Sequence, residues 1–337
     1  METDATRFLH TSDWHLGAPR STWPWHHPNR AAWVDRLRDC REEAVRSVVA
    51  LAIENRVDAV LVAGDVLDQP ELEKDVKGRV ERFVRSEVVE PLRLQGIRLV
   101  LTVGSHDWDR GKARRDGSLR LLRALEAEYP NDVAVLMPPG YDGSKCLEVG
   151  RLLIASEPPS TSRTEPWVEL LHDQKDSRPG SPICRCYGGK HELSIYAKRH
   201  CYYPGSPFAR TTAGPGGGAG CAGQRHALLL SVGATLALDV QPIRLPVAET
   251  CVLTSCGSGW TLTYHSDRVK KQWQPATLLG EVQDVLQTLA SDYPRLAWAL
   301  FLSKDQPSRL PAPNALAGAL RGEGRNAHKL LVWLPGR

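Results

Sequence analysis

The sequence predicts an α/β protein in which a sheet with parallel strands carries helices on its faces. Three observations support this. Short apolar runs alternate with stretches of helical periodicity through the first hundred residues, three of those runs end in residues of metal-ligand type, and two are followed at once by glycine.

Phe8–His10 reads as the first strand. A loop rich in Trp, Pro and His, residues 18–30, leads into a helix over about 31–55, where Ala44, Val45, Val48, Val49 and Ala52 recur at helical spacing. Ala59–Ala63 is the second strand, and a helix follows over about 72–94 with Val76, Val80, Phe83 or Val84 and Val88 on one stripe. Arg98–Val103 is the third strand. Beyond Asp107 the pattern turns β-rich. Val133–Leu136, Leu147–Val149, Leu152–Ala155 and Ile183–Tyr187 read as strands, and Trp167–Leu171 as a short helical piece. Residues 211–224, mostly Gly and Ala, read as a surface loop. Strands are expected at His226–Gly233, Thr235–Val240, Pro246–Thr254, Leu296–Leu302 and Lys329–Leu334, with helices at Leu278–Ala290 and Ala315–Leu320. The expected division is a catalytic domain over 1–242 and a smaller α/β cap over 243–337.

The 337 residues allow about two domains, and 42% apolar with 24% charged content is that of an ordinary globular chain. A net charge of +4 does not by itself distinguish a nucleic-acid partner from a solvated, mildly basic surface. No run of about 18 apolar residues is present, so no membrane span is expected. Met1-Glu2-Thr3-Asp4 does not open a secretory signal. The eight cysteines lack the spacing of a disulfide framework, and a reduced, cytoplasmic setting is expected. Cys184 and Cys186, near His191 and Cys201, invite a zinc reading, but C-x-C is not the usual knuckle spacing and free thiols are favoured.

The candidate site gathers at strand ends. Asp13 and His15 lie two residues apart, on one face if the strand continues, and form an O/N pair suited to a divalent metal. Asp65 and Asp68 follow the second strand, and His106 and Asp107 the third. In an α/β sheet, sites form beyond the carboxyl ends of parallel strands, where these residues fall.

The spacing Asp13-x-His15, Gly64-Asp65-x-x-Asp68 and Gly104-Ser105-His106-Asp107 resembles the DxH, GDxxD and GNHD/E signature of the calcineurin-like metallophosphoesterases. Within that superfamily, the opening Arg7–Gly17 resembles the SbcD-like DNA double-strand-break repair nucleases. Tyr187-Gly188-Gly189-Lys190-His191 and Tyr203-Pro204-Gly205-Ser206-Pro207 resemble that family's GHxH motif and trailing YxGSP element. The resemblance implies a sandwich of mixed β-sheets flanked by helices with a small C-terminal α/β cap. It also implies a two-metal phosphodiesterase using manganese or magnesium on DNA ends, a homodimer, and an SMC-like coiled-coil ATPase partner of the SbcC type. No long helical extension of the kind by which many relatives grip that ATPase follows the last expected strand, so the partner is expected to dock differently or to be absent.

Carried over residue by residue, the resemblance implies that one metal is held by Asp13, His15, Asp65 and His191, with Asp65 bridging to a second. His106 protonates the leaving oxygen or steadies the phosphate. Asp68 and Asp107 orient ligands without touching metal. The second metal looks poorly provided. Ser105 replaces the family's Asn, Gly189 replaces the first His of GHxH, and no His-Gly pair exists in the chain. His172 is the one positional candidate for the missing mid-domain ligand, although a surface helix residue is the favoured reading for it. Lys190 and Glu192 are candidates to compensate. One tight metal and a doubtful second are expected.

Arg110, Lys112, Arg114 and Arg115 follow the third ligand loop and can hold a DNA backbone, or can be a solvated helix start. Trp14, Trp23 and Trp25, with His26 and His27 beside the tryptophans, can stack unpaired bases or pack the first loop. His10 reads as a core residue without a role, and His200 and His226 as structural. Three functions compete: a metal-dependent nuclease, a weak or inactive relative serving as a DNA-binding scaffold, and a small-molecule phosphoesterase.

Overall fold

The computed structural model describes residues 5–17, 30–68, 72, 74–108, 117–141, 146–160, 165–177, 179–208 and 225–247, together with five strands between 251 and 333. Trp23, Trp25, His26, His27, the Arg110–Arg115 cluster, the Gly-rich segment 211–224 and the helices expected at 278–290 and 315–320 lie outside the described residues.

Three strands open the chain's first sheet: β1 (Thr6–Thr11), β2 (Ala59–Ala63) and β3 (Arg98–Thr102), with helix α1 (Arg30–Glu54) between the first two. Helix α2 (Lys74–Phe83), a π-helical turn at Val84–Val89 and helix α3 (Glu90–Leu94) together make the single helix expected before β3. Pro91 can give no N–H to the turn before it, which accounts for the widened π turn at this point. Helix α4 (Gly117–Glu128), buried through Leu121, Leu122 and Leu125, follows the basic segment for which a solvated helix start is one of the two readings. It precedes β4 (Val133–Leu136).

The second sheet is built from β5 (Cys146–Val149), β6 (Leu152–Ala155), β7 (Trp167–Leu171), β8 (Cys184–Tyr187), β9 (Ser194–Tyr196) and β10 (Cys201–Tyr203). The chain then returns to the first sheet as β11 (His226–Val232) and β12 (Leu238–Arg244). The first sheet runs β12-β11-β1-β2-β3-β4 and the second β5-β6-β7-β8-β10-β9. β1 to β3 are parallel, as expected, and β4 joins them in parallel, whereas β11 pairs antiparallel to β1. The molecule is thus a mixed α/β sandwich of the expected class. Its core lies between the sheets, where Phe8, Leu61, Val100 and Leu136 share one buried cluster with Ile154, Val168, Leu170, Cys184 and Cys186. Each large aliphatic side chain buried there contributes about 1.5–3 kcal/mol.

Trp167–Leu171 is a strand and not the helical piece expected. Glu169 in the middle of an apolar run suggests a helix face, but all five residues are buried between β6 and β8, as in a central parallel strand. Glu169 is satisfied there by the Tyr187 hydroxyl at 2.7 Å, the Ser177 hydroxyl and Arg185. The strand expected at Thr235–Val240 begins instead at Leu238, after a turn in which Gly233 N–H reaches the Ala237 carbonyl. Cys184 and Cys186 are free thiols within the sandwich core.

The chain divides into two compact units, the first comprising Met1–Pro19, Arg41–Pro207 and Arg225–Pro246. The second contains a five-stranded sheet ordered β15-β14-β13-β16-β17, formed by β13 (Cys251–Cys256), β14 (Gly259–Thr263), β15 (Lys271–Trp273), β16 (Trp298–Phe301) and β17 (Leu330–Trp333). β13 starts at Cys251, later than the strand expected from Pro246. Among the described residues no helix is long and apolar enough to cross a membrane.

Candidate metal centre

Beyond the carboxyl ends of β1 and β2 the two segments stay zipped together. Asp13 N–H donates to the Gly64 carbonyl, His15 N–H to the Asp65 carbonyl, and Asp68 N–H to the Leu16 carbonyl. The backbone at Asp13, His15 and Asp65 is left-handed, with φ of 54°, 46° and 50°. Non-glycine residues adopt this region at a cost, and such strain collects at functional sites. Here it turns three ligand-type side chains inward in succession.

The side chains meet in three overlapping groups whose donor atoms lie within 4.8 Å of one another: Asp13, His15 and His191; His15, Asp65 and His106; Asp13, Asp65 and His172. A divalent cation with bonds of about 2.1 Å to N and O donors fits such groups after small side-chain shifts. The donor set supports that fit. Asp13 and Asp65 are buried carboxylates whose partners among the described residues are hydroxyl, backbone N–H and imidazole groups rather than lysine or arginine. Carboxylates taken out of water in this way need a compensating positive charge.

His172 is the main correction to the sequence reading. Instead of lying on a surface helix it directly follows strand β7, its Nε2 3.3 Å from Asp65 Oδ2 and its Nδ1 3.0 Å from the Ala63 carbonyl. A carbonyl only accepts, so Nδ1 carries the hydrogen and Nε2 is the nitrogen turned to the site. Burial alone would lower the His172 pKa, but the hydrogen bond and charge of Asp65, with Asp13 beyond, raise it to about 10. Burial acts to raise the Asp65 pKa, yet His172 and His15 hold it well below the ordinary carboxylate range. Asp13, with weaker compensation, is pushed up to about 7 by burial.

His15 directs Nδ1 toward Asp68 Oδ1 at 3.4 Å and Nε2 toward Asp65 Oδ2 at 3.9 Å, so the imidazole lies between the two carboxylates. The Asp107 carboxylate accepts backbone N–H bonds from Val66, Leu67 and Gly104, tying the second ligand loop to the third. Burial and the charge of Asp65 nevertheless push its pKa up to about 7. His106 packs edge-on to His15 at 5.0 Å, donates its backbone N–H to Asp65 Oδ1, and gives its Nδ1 hydrogen to the Asp68 carbonyl. With Nδ1 engaged there, Nε2 is the ring nitrogen that can serve in chemistry. Two arginines that sequence reading passed over are also buried here. Arg41 donates to the His15 carbonyl and Arg225 to the His191 carbonyl. Neither lies in a recognisable motif, so spacing gave no signal for them.

The glycines mark close approaches. A Cβ on Gly104 would collide with Asp65 Oδ1, and one on Gly188 with the Ala63 carbonyl oxygen. Gly189 N–H donates to both Asp13 carboxylate oxygens at 3.2 Å, and a side chain there would start 3.7 Å from His172 Nε2. Position 189 therefore faces the His172 imidazole and brings no donor side chain to it. Ser105 is exposed. Lys190 does not compensate, since its Nζ donates to the Tyr196 hydroxyl at 2.9 Å and lies over two tyrosine rings, and Glu192 is exposed. Trp14 is buried, with its indole N–H on the Thr11 hydroxyl, and offers no face for stacking. His10 is enclosed between the Leu61 and Tyr202 carbonyls, and burial lowers its pKa to about 4.

A two-sheet α/β sandwich that converges His and Asp donors at the ends of its strands defines a metal-binding hydrolase. The chain belongs to the calcineurin-like phosphoesterase family, whose model matches residues 6–198. It is 32% identical over 154 residues to the DNA double-strand break repair protein Mre11 of Aeropyrum pernix, covering 45% of this chain and 32% of that protein. It is likewise 32% identical over 102 residues to the SbcD subunit of the nuclease SbcCD of Rhodobacter capsulatus, covering 30% of this chain and 21% of that one. The chain thus aligns with no more than about a third of the length of either relative.

Proposed function

We propose that this chain is a divalent-metal-dependent phosphodiesterase that cleaves DNA at or near strand ends. The observation that carries the reading is the meeting of Asp13, His15, Asp65, His172, His191 and His106 in three overlapping, largely buried groups. The likeness to two proteins named as DNA-repair protein and nuclease supports DNA as the substrate.

In this reading Asp13, His15, Asp65 and His191 hold one manganese or magnesium ion tightly. Asp65 and His172 hold a second weakly, because Ser105 offers only a neutral hydroxyl and Gly189 nothing. Bound metal supplies Lewis acidity toward the phosphate and a water acidic enough to act as nucleophile near neutrality. His106 Nε2 gives its proton to the leaving oxygen or steadies the phosphate, its ring fixed through Nδ1 by the Asp68 carbonyl. Asp68 and Asp107 position the ligand loops. Arg110, Lys112, Arg114 and Arg115 contact the DNA backbone on the approach to α4. Residues 1–242 form the nuclease domain and 243–337 its cap. The chain works in the cytoplasm as a homodimer with an SMC-like coiled-coil ATPase of the SbcC type.

Cleavage of linear single- and double-stranded DNA in manganese, comparing wild type with His106→Ala and Asp65→Ala, tests the reading. Loss of about 10²-fold or more in both variants is expected. Equal, metal-independent background in all three would instead favour a DNA-binding scaffold, the reading that Gly189 and the exposed Ser105 recommend.

A further inference from the structure

Beside the metal cluster, the outer edge of the second sheet carries a cationic and aromatic rim that the chemistry above does not use. Strand β9 is that edge, paired among the described residues only to β10. Ile195 and Tyr196, adjacent on it, are 41% and 43% exposed, two of four large hydrophobic residues so placed among the described residues. Lys190 Nζ lies 4.6 Å from the Tyr196 ring centre and 4.3 Å from that of Tyr203, and donates to the Tyr196 hydroxyl. Tyr203 stands edge-on to Tyr196 at 6.0 Å and is itself buried, its hydroxyl on Gln174. Tyr203 and Lys190 thus fix one side of the Tyr196 ring, and its remaining surface is open to solvent.

The rim is tied covalently to the metal cluster. Lys190 sits between Gly189, whose N–H binds the Asp13 carboxylate, and His191, whose Nε2 is 3.7 Å from Asp13 Oδ1. From the other side, Ser206, three residues after Tyr203, donates to the Asp13 carbonyl at 2.7 Å. Beyond Tyr196 the chain exposes Lys198 and Arg199, so residues 190–199 carry three cations against the single acid Glu192. An exposed ring flanked by cations on a rigid edge is how proteins hold unpaired nucleotides, the ring taking a base and the cations the phosphates.

We propose that Tyr196 and Lys190 form a subsite for an unpaired nucleotide of single-stranded DNA adjoining the phosphate to be cleaved, with Tyr196 stacking its base and Lys190 contacting its phosphate. The proposal rests on the nuclease reading and deepens it. A fully paired end offers only the outer face of its terminal pair, whereas an unpaired nucleotide can turn its base onto the ring and its phosphate onto the lysine together, so the subsite favours frayed or single-stranded ends.

Fluorescence anisotropy of a labelled oligothymidylate, in chelator and at low salt, tests it without turnover. Tyr196→Ala is expected to weaken binding about tenfold, Tyr196→Phe to stay within about twofold because the ring remains, and Lys190→Gln to reduce the salt slope by about 0.7. Binding of a blunt duplex is expected to change clearly less with Tyr196→Ala than binding of the single strand. Thermal melts of each variant check that the fold is intact. Unchanged oligothymidylate binding by Tyr196→Ala, or an equal loss for single strand and duplex, overturns the subsite even if wild type cleaves DNA. A wild type that hydrolyses bis(p-nitrophenyl) phosphate but neither binds nor cuts DNA overturns the nuclease reading first, and the subsite with it.

Discussion

One proton on His172 ties the chemistry of the cluster to pH. Without metal, the folded chain holds protons more tightly than the unfolded chain at Asp13, Asp107 and His172, whose pKa values are raised to about 7, 7 and 10. Their contributions to stability are therefore present at low pH and lost as pH rises, between about 4 and 7 for the two aspartates and between about 6.5 and 10 for His172. Asp65 runs the other way, stabilising above its ordinary range and failing only in strong acid. Chelator-treated protein should accordingly lose melting temperature steadily from pH 6 to pH 10. In the proposed site a metal takes the place of the His172 proton, so binding at that position should tighten over the same range and release a proton. Calorimetry of manganese binding with a non-hydrolysable phosphodiester analogue present, in two buffers of different ionisation enthalpy, measures that release. Persistence of the full proton release in His172→Ala would remove His172 from the account. Gly104 makes a second prediction at this scale. A methyl there meets the Asp65 carboxylate and backbone, so Gly104→Ala should cost about 3 kcal/mol in urea denaturation, as overpacking does, and weaken metal binding as well.

At the scale of elements, two structural pieces from different parts of the chain hold the ligand loops from behind. Arg41 on α1 reaches the His15 carbonyl and Arg225, leading into β11, reaches the His191 carbonyl. Groups that orient metal ligands typically change affinity about 10- to 100-fold when removed. Arg225→Ala should therefore weaken manganese binding about tenfold. Arg225→Lys, which keeps a cation but loses the guanidinium geometry, should recover part of it. An affinity equal to wild type in Arg225→Ala would show that the contact does not position His191. These elements also mark where the sequence was readable. β1, β2 and β3 were legible because each is an apolar run with a ligand-type residue at its carboxyl end, and parallel pairing places those ends together. β7 was not, because Glu169 breaks the apolar run, and the partners that satisfy it, Tyr187, Ser177 and Arg185, lie 8 to 18 residues further on. The misreading carried His172 to the surface with it. β9 and β10, at three residues each, are too short for any period to declare itself.

For the whole molecule, the two metal positions are unequal in what the fold brings to them. Asp13, His15 and His191 meet around one position with Asp65 beside them, while around His172 the chain supplies Asp13 and Asp65, a bare backbone at Gly189 and an exposed Ser105. In the proposed site, water or a substrate phosphate completes the coordination shell at the second position, as is usual for magnesium and manganese. On the proposed function, occupancy of the second position depends on substrate. Titration of the chain with manganese alone should give one tight ion per chain, and adding a non-hydrolysable phosphodiester analogue should bring in a second. Asp13→Asn should weaken the tight ion while leaving the Asp65–His172 pair in place, whereas His172→Ala should abolish the analogue-dependent ion and spare the tight one. Two equal tight ions in wild type without any phosphate would mean that the chain completes the second shell itself, and Gly189 and Ser105 would then lose their significance for activity.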